Sequence, residues 1–149
     1  MRISFYIILI TFSFMNILSA EENNYYLVLK NNKVNVRYGP GFDYPIKFVY
    51  KKKNLPIRVI DKKENFRRII DFKNNSGWIH TSQLKKGKAF ILLKNQILFT
   101  KPTKYSKPIL IISKGRLLLV KKCKAKWCKV KTKKYIGWLE VKNVWGSIN

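Results

Sequence analysis

The chain has 149 residues, 32 of them lysine or arginine against 7 aspartate or glutamate, for a formal net charge of +25. That length excludes a large enzyme core and leaves room, behind any leader, for one ordinary domain or two very small ones. The positive charge runs from end to end rather than sitting in a tail, so anionic surfaces attract the chain. Two origins of the charge stand side by side. Lysine outnumbers arginine 26 to 6 and alanine occurs three times, a bias that AT-rich codons would give, with lysine as an inexpensive solvated residue. The other origin is a selected anion-binding surface.

Met1 to Ala20 open with Arg2, continue through an almost uncharged run from Ile3 to Leu18 and close on Ser19-Ala20, which is the layout of a secretory signal peptide. Ser4, Thr11, Ser13 and Asn16 interrupt that run, and it is shorter than the ~20 apolar residues of a membrane-spanning helix. Residues 1–20 are therefore expected to be removed, leaving no membrane span. Leu18 fits poorly three residues before the cut, so an uncleaved anchor is the alternative. Export places the protein in the periplasm or outside the cell. Nucleic acid is then an unlooked-for partner, the more so because phosphate readers favour arginine forks.

Beyond the leader the apolar runs are four to eight residues long, rich in β-branched and aromatic types and separated by turn formers. Val34 and Val36, then Leu55, Ile57 and Val59, alternate with period two. Asp61 to Asn65 and Lys73 to Gly77 punctuate them as hairpin turns. The pattern recurs: Pro45-Ile46 matches Pro108-Ile109, Phe66 to Ile69 matches Trp127 to Val130, and Gly77-Trp78-Ile79 matches Gly137-Trp138-Leu139. The offsets of 63, 61 and 60 make the second copy three residues shorter between these landmarks. Phe66 and Ile69 are three apart, as are Trp127 and Val130, and a β-bulge is expected at each. The fold class is all-β, and closing each sheet into a small barrel removes its exposed edges. The expected units are 24–86 and 88–147, each marginal alone and helped by docking on the other.

The run from Val34 to Pro45, Val-Asn-Val-Arg-Tyr-Gly-Pro-Gly-Phe-Asp-Tyr-Pro, resembles the opening of a bacterial Src-homology-3 domain, and Gly77-Trp78-Ile79-His80 resembles its closing strand. The resemblance covers Lys33 to Leu84. It implies two tandem Src-homology-3-like barrels, the second, Asn95 to Trp145, lacking the arginine and Gly-Pro-Gly of the first. The pair is similar to small exported two-copy proteins of Gram-negative bacteria.

Gly39-Pro40-Gly41 has the residues of a tight turn, with glycine free to take positive φ. The loop sets Tyr38, Phe42 and Tyr44 around that turn, where they either build a peptide groove or pack the barrel. Trp78 and Trp138 follow glycine at a strand start, where bare backbone admits a close neighbour. Core packing is expected for both, and a partly exposed ring would instead be a stacking floor. Candidate ligand contacts are thus Tyr38, Phe42, Tyr44 and Trp78. Cys123 and Cys128 flank four residues and should pair in an oxidising compartment across a hairpin loop. A redox pair would want Cys-x-x-Cys, and zinc would find only His80 to join them.

No catalytic set emerges, since His80 is the sole histidine and the carboxylates lie mostly in the leading segment and turns. No cofactor or metal is called for. The function expected is a non-catalytic envelope module binding cell-wall peptide or another anionic envelope polymer, the alternative being a periplasmic protein-interaction adaptor. Oligomeric state is not legible.

Overall fold

The structure is a computed structural model that describes residues 25–147, so the expected leader lies outside the described residues. Strands β1 (Tyr25–Leu29), β2 (Val34–Arg37), β3 (Ile46–Tyr50), β4 (Pro56–Lys63), β5 (Phe66–Ile70), β6 (Ser76–His80) and β7 (Leu84–Lys85) form the first unit, with a 3-10 turn at Thr81–Gln83. The second comprises β8 (Ala89–Leu92), β9 (Gln96–Phe99), β10 (Pro108–Ile112), β11 (Leu117–Lys124), β12 (Trp127–Thr132), β13 (Tyr135–Glu140) and β14 (Val144–Ser147). Among the described residues no helix is long and apolar enough to cross a membrane.

Each unit is a seven-stranded antiparallel sheet, ordered β3-β2-β6-β5-β4-β1-β7 and β10-β9-β13-β12-β11-β8-β14. Adding seven to each label of the first gives the second, so the sequence repeat is a repeat of topology. Alternation explains the curl. Val34 and Val36 of β2, Ile57 and Val59 of β4, Ile69 of β5 and Ile79 of β6 all meet in one buried cluster, while their neighbours face outward. Leu98, Leu118, Val130 and Leu139 do the same in the second unit. The all-β tandem architecture expected from the sequence is the one adopted.

Register corrects two details of the repeat. Ile46 pairs with Arg37 as Pro108 pairs with Phe99, so Pro108 corresponds to Ile46 and not to Pro45. The second copy is then shorter by two residues, one in the connection after β10 and one in the turn after β12. The bulges occur in both copies, but the extra residue sits on the preceding strand, at Ile60 between Val59 and Asp61 and at Lys121 between Val120 and Lys122. β5 and β12 keep strict alternation. Phe66 and Trp127 are buried on the face opposite Ile69 and Val130, outside the barrel cores.

The two units dock. Ile91 of β8 belongs to the first barrel's core, with Leu117 and Trp145 packed against it. Trp145 donates its Nε1 hydrogen to the Pro56 carbonyl at 3.3 Å, meets Tyr26 edge-on at 5.5 Å and lies under the Arg58 guanidinium. Burial here raises the Tyr26 hydroxyl pKa, with Arg58 opposing the rise.

Candidate functional site

The eight-residue connection 38–45 between β2 and β3 carries the loop aromatics. Glycine is needed there for space rather than for φ: a Cβ on Gly39 would lie 2.3 Å from Cδ1 of Tyr44, whose ring rests on that backbone. The left-handed glycines are Gly115 and Gly146, and Gly39 and Gly41 are not among them. Arg37 ties the loop down by donating to the carbonyls of Phe42 at 3.1 Å and Tyr44 at 2.7 Å.

Tyr38, Phe42 and Tyr44 remain 61%, 64% and 42% exposed, so none of them fills the core. Phe42 nevertheless has partners. Its ring meets Phe66 at 5.3 Å and His80 at 5.0 Å, and the Arg37 guanidinium stands 5.5 Å from its centroid. Phe66 and His80 are cross-strand neighbours on the outer face of β5 and β6. His80 is engaged structurally, its Nδ1 accepting from the Ser82 backbone at the start of the 3-10 turn. Lys47 lies over Tyr38 at 5.6 Å.

Trp78 is half-buried on the outer face, opposite Arg37 and Arg68, and Trp138 is placed likewise beneath Lys122. Core packing, the first expectation for both indoles, is corrected: the buried neighbours are Ile79 and Leu139. The glycines before them do admit a close strand, since a Cβ on Gly77 would sit 2.4 Å from Val36 Cγ1 and one on Gly137 2.6 Å from Leu98 Cγ. Among the described residues no ring contact joins Trp78 to the loop aromatics. Tyr38, Phe42 and Tyr44 share one exposed loop without a ring contact among them, and Trp78 lies on the sheet beside Arg37, which pins that loop.

In the second barrel the same positions carry different chemistry. Register equates Phe66 with Trp127, His80 with Glu140 and Arg37 with Phe99. The equivalent connection, 100–107, is also eight residues, and its fifth is Lys104 where the first has Phe42. Without a phenylalanine over them, Trp127 and Phe99 border a cavity of about 610 Å³, together with Ile97, Ile111, Glu140 and Lys142. The rings of Phe99 and Trp127 meet edge-on at 5.8 Å.

Glu140 organises the rim of that cavity. Lys142, Lys126 and Lys104 lie 2.9, 3.1 and 3.6 Å from its carboxylate. Hydrogen bonds from Lys142 and Lys126 are the main reason its pKa is held down at about 2. Among the described residues every ion pair ends on this one side chain. Gln96, buried beside it, donates to the Lys142 carbonyl and fixes the end of β13. The sequence marked Phe66 and Trp127 as recurring landmarks but not as neighbours of a site, and it carried no signal for Glu140.

Cys123 and Cys128 are bonded, as expected, with Cα atoms 4.0 Å apart. They are directly opposed in the β11–β12 ladder, and Lys124 still pairs with Trp127 beyond them. The bond thus clamps a hairpin that turns at 125–126, with Ala125 left-handed at φ 50°, rather than closing an open four-residue loop.

Comparison with known proteins agrees with this geometry. The bacterial SH3 domain family matches residues 30–86 and again 94–146. No curated protein matches the chain. Among solved structures it is similar to NlpC2 and NlpC1 from Trichomonas vaginalis, each 10% identical over 85% of this chain, with TM-scores of 0.39 and 0.38. It covers 49% and 47% of those chains, about half their length. Two family matches fall on two barrels of one topology, and the chain belongs to the bacterial SH3 domain family.

Proposed function

We propose that this protein is a non-catalytic binding module of the cell envelope, periplasmic or secreted, which recognises cell-wall peptide or another anionic envelope polymer through the first barrel's loop. The observation that carries the reading is the exposure of Tyr38, Phe42 and Tyr44 on a loop pinned by Arg37. Rigid aromatics held outside the core lose little entropy on contact, which suits recognition. Lys47 stands over Tyr38, and the net charge of +25 adds long-range attraction to anionic ligands.

Sedimentation of the purified protein with isolated wall sacculi across a salt series tests the reading. Retention should persist at high salt, where lysine attraction is screened, and the double variant Tyr38→Ala/Tyr44→Ala should lose that retention. Retention that vanishes at moderate salt, or that the double variant keeps, would refute the loop as the recognition element.

One observation favours the adaptor reading. β10 ends its sheet, and its Ile109 and Ile111 are 37% and 69% exposed, so a partner protein could add a strand there. Pull-down of a periplasmic protein that Ile111→Lys abolishes would support it.

A further inference from the structure

We infer that the second barrel carries a binding site of its own, the cavity between Phe99, Trp127 and Glu140, which takes the free C-terminal carboxylate end of a short peptide whose last side chain is apolar. This site is separate from the Tyr38 loop and does not rest on its role.

The walls are apolar. Ile97 and Ile111 are opposed across β9 and β10 and stand 43% and 69% exposed, and they line the cavity together with the half-buried Phe99 ring and the edge of the buried Trp127. In the first barrel the loop phenylalanine covers the corresponding pair, Phe66 and His80. In the second, Lys104 stands at that place and pairs with Glu140; Trp127 stays buried, and the accessible apolar surface of the cavity comes from Ile97, Ile111 and the half-buried Phe99. A volume near 610 Å³ falls within the range of small-ligand pockets, ~300–1,000 Å³.

The rim selects charge. Three ammonium groups converge on one carboxylate, so positive charge is in excess after Glu140 is satisfied. Lys104 has the longest of the three pairings and an exposed side chain, which makes it the first able to turn to a ligand. A carboxylate would sit among the lysines and its apolar side chain against the rings, away from Glu140. An alkyl chain would satisfy the walls equally well, but the cavity is bordered by β10, an edge strand. Its outward backbone groups have no strand partner among the described residues, and a peptide supplies the amides to pair with them.

Calorimetric titration of the purified protein with N-acetyl-Ala-Phe, its C-terminal amide and octanoate tests the assignment. The acid should bind, and the amide should bind about tenfold more weakly for want of charge-assisted bonds. Lys104→Ala with Lys142→Ala should produce a similar loss, and Ile111→Glu, at an exposed position, should abolish binding without changing the melting curve. Tyr38→Ala/Tyr44→Ala should bind as the parent does, which separates failure here from failure of the wall-binding reading. Equal affinity for acid and amide, octanoate as tight as the peptide, no heat with any probe, or binding unchanged in Ile111→Glu would each overturn the inference.

Discussion

Phe42 and Lys104 hold the same place in two copies of one loop, and with them the partner across the sheet changes from His80, which meets a ring, to Glu140, which meets an ammonium group. The consequence for charge is concentrated on Glu140. Its carboxyl is held at about 2 in the folded protein against 4.5 for the unperturbed group, so the folded state binds its proton less readily. Its stabilisation is fully present above about pH 4.5 and is lost as the pH falls towards 2. Glu140→Gln should therefore flatten the pH dependence of the melting temperature within that window and leave its slope above pH 5 unchanged. Thermal melts from pH 2 to 6 would show it; identical acid slopes in parent and variant would remove Glu140 from the account. The sequence displayed the exposed aromatics of the first loop because they cluster in one run. It could not display the Glu140 cluster, because Lys104 comes from a loop 36 positions away and only the register of β9, β12 and β13 joins them.

Hairpins and glycine crossings set how well each sheet holds. The Cys123–Cys128 bond spans opposed positions of β11 and β12, and closing so short a loop stabilises by ~2 kcal/mol. Replacing both cysteines by alanine should lower unfolding free energy by about that amount in urea titration. A change near zero would mean the tight turn already fixes the hairpin. Gly137→Ala is a harsher change than loss of a surface residue: its Cβ would stand 2.8 Å from the Phe99 carbonyl as well as 2.6 Å from Leu98. Overpacking of this kind costs ~1–3 kcal/mol, readable in the same titration, and a neutral result would show that β9 can move aside. At this scale the sequence was most legible. Period-two alternation located the strands, and the indole after each glycine marked the crossing. It misled where one landmark, Pro-Ile, slipped by a residue: the bulge sits at the same place in both copies, and the start of an edge strand accepts proline either just before it or as its first residue. The same alternation, followed strictly, would have put Phe66 and Ile69 on opposite faces and moved each bulge to the strand before.

Across the whole molecule, Trp145 is the joint. It closes the last strand of the second barrel while touching Tyr26, Arg58 and Pro56 of the first, so neither barrel's outer surface is complete without the other. Calorimetry should record one cooperative unfolding transition for the protein. Trp145→Ala should split that transition or lower its midpoint, at about half the ~3–5 kcal/mol of a fully buried indole, since this ring is half-buried. Two transitions already present in the parent would show that the barrels melt independently. Docking was foreseeable from the small size of each unit, but its agent was not, because nothing in a terminal Trp-Gly distinguishes a wedge from a core residue.

That wedge also makes the molecule a gauge. A flexible linker would let two recognition faces search a wide range of separations, whereas a packed joint fixes one distance and one angle between them. If the first barrel's loop and the second barrel's cavity bind as proposed, a ligand carrying both determinants at that interval would be held at two points for the entropic cost of one encounter, and a ligand with any other spacing at one point only.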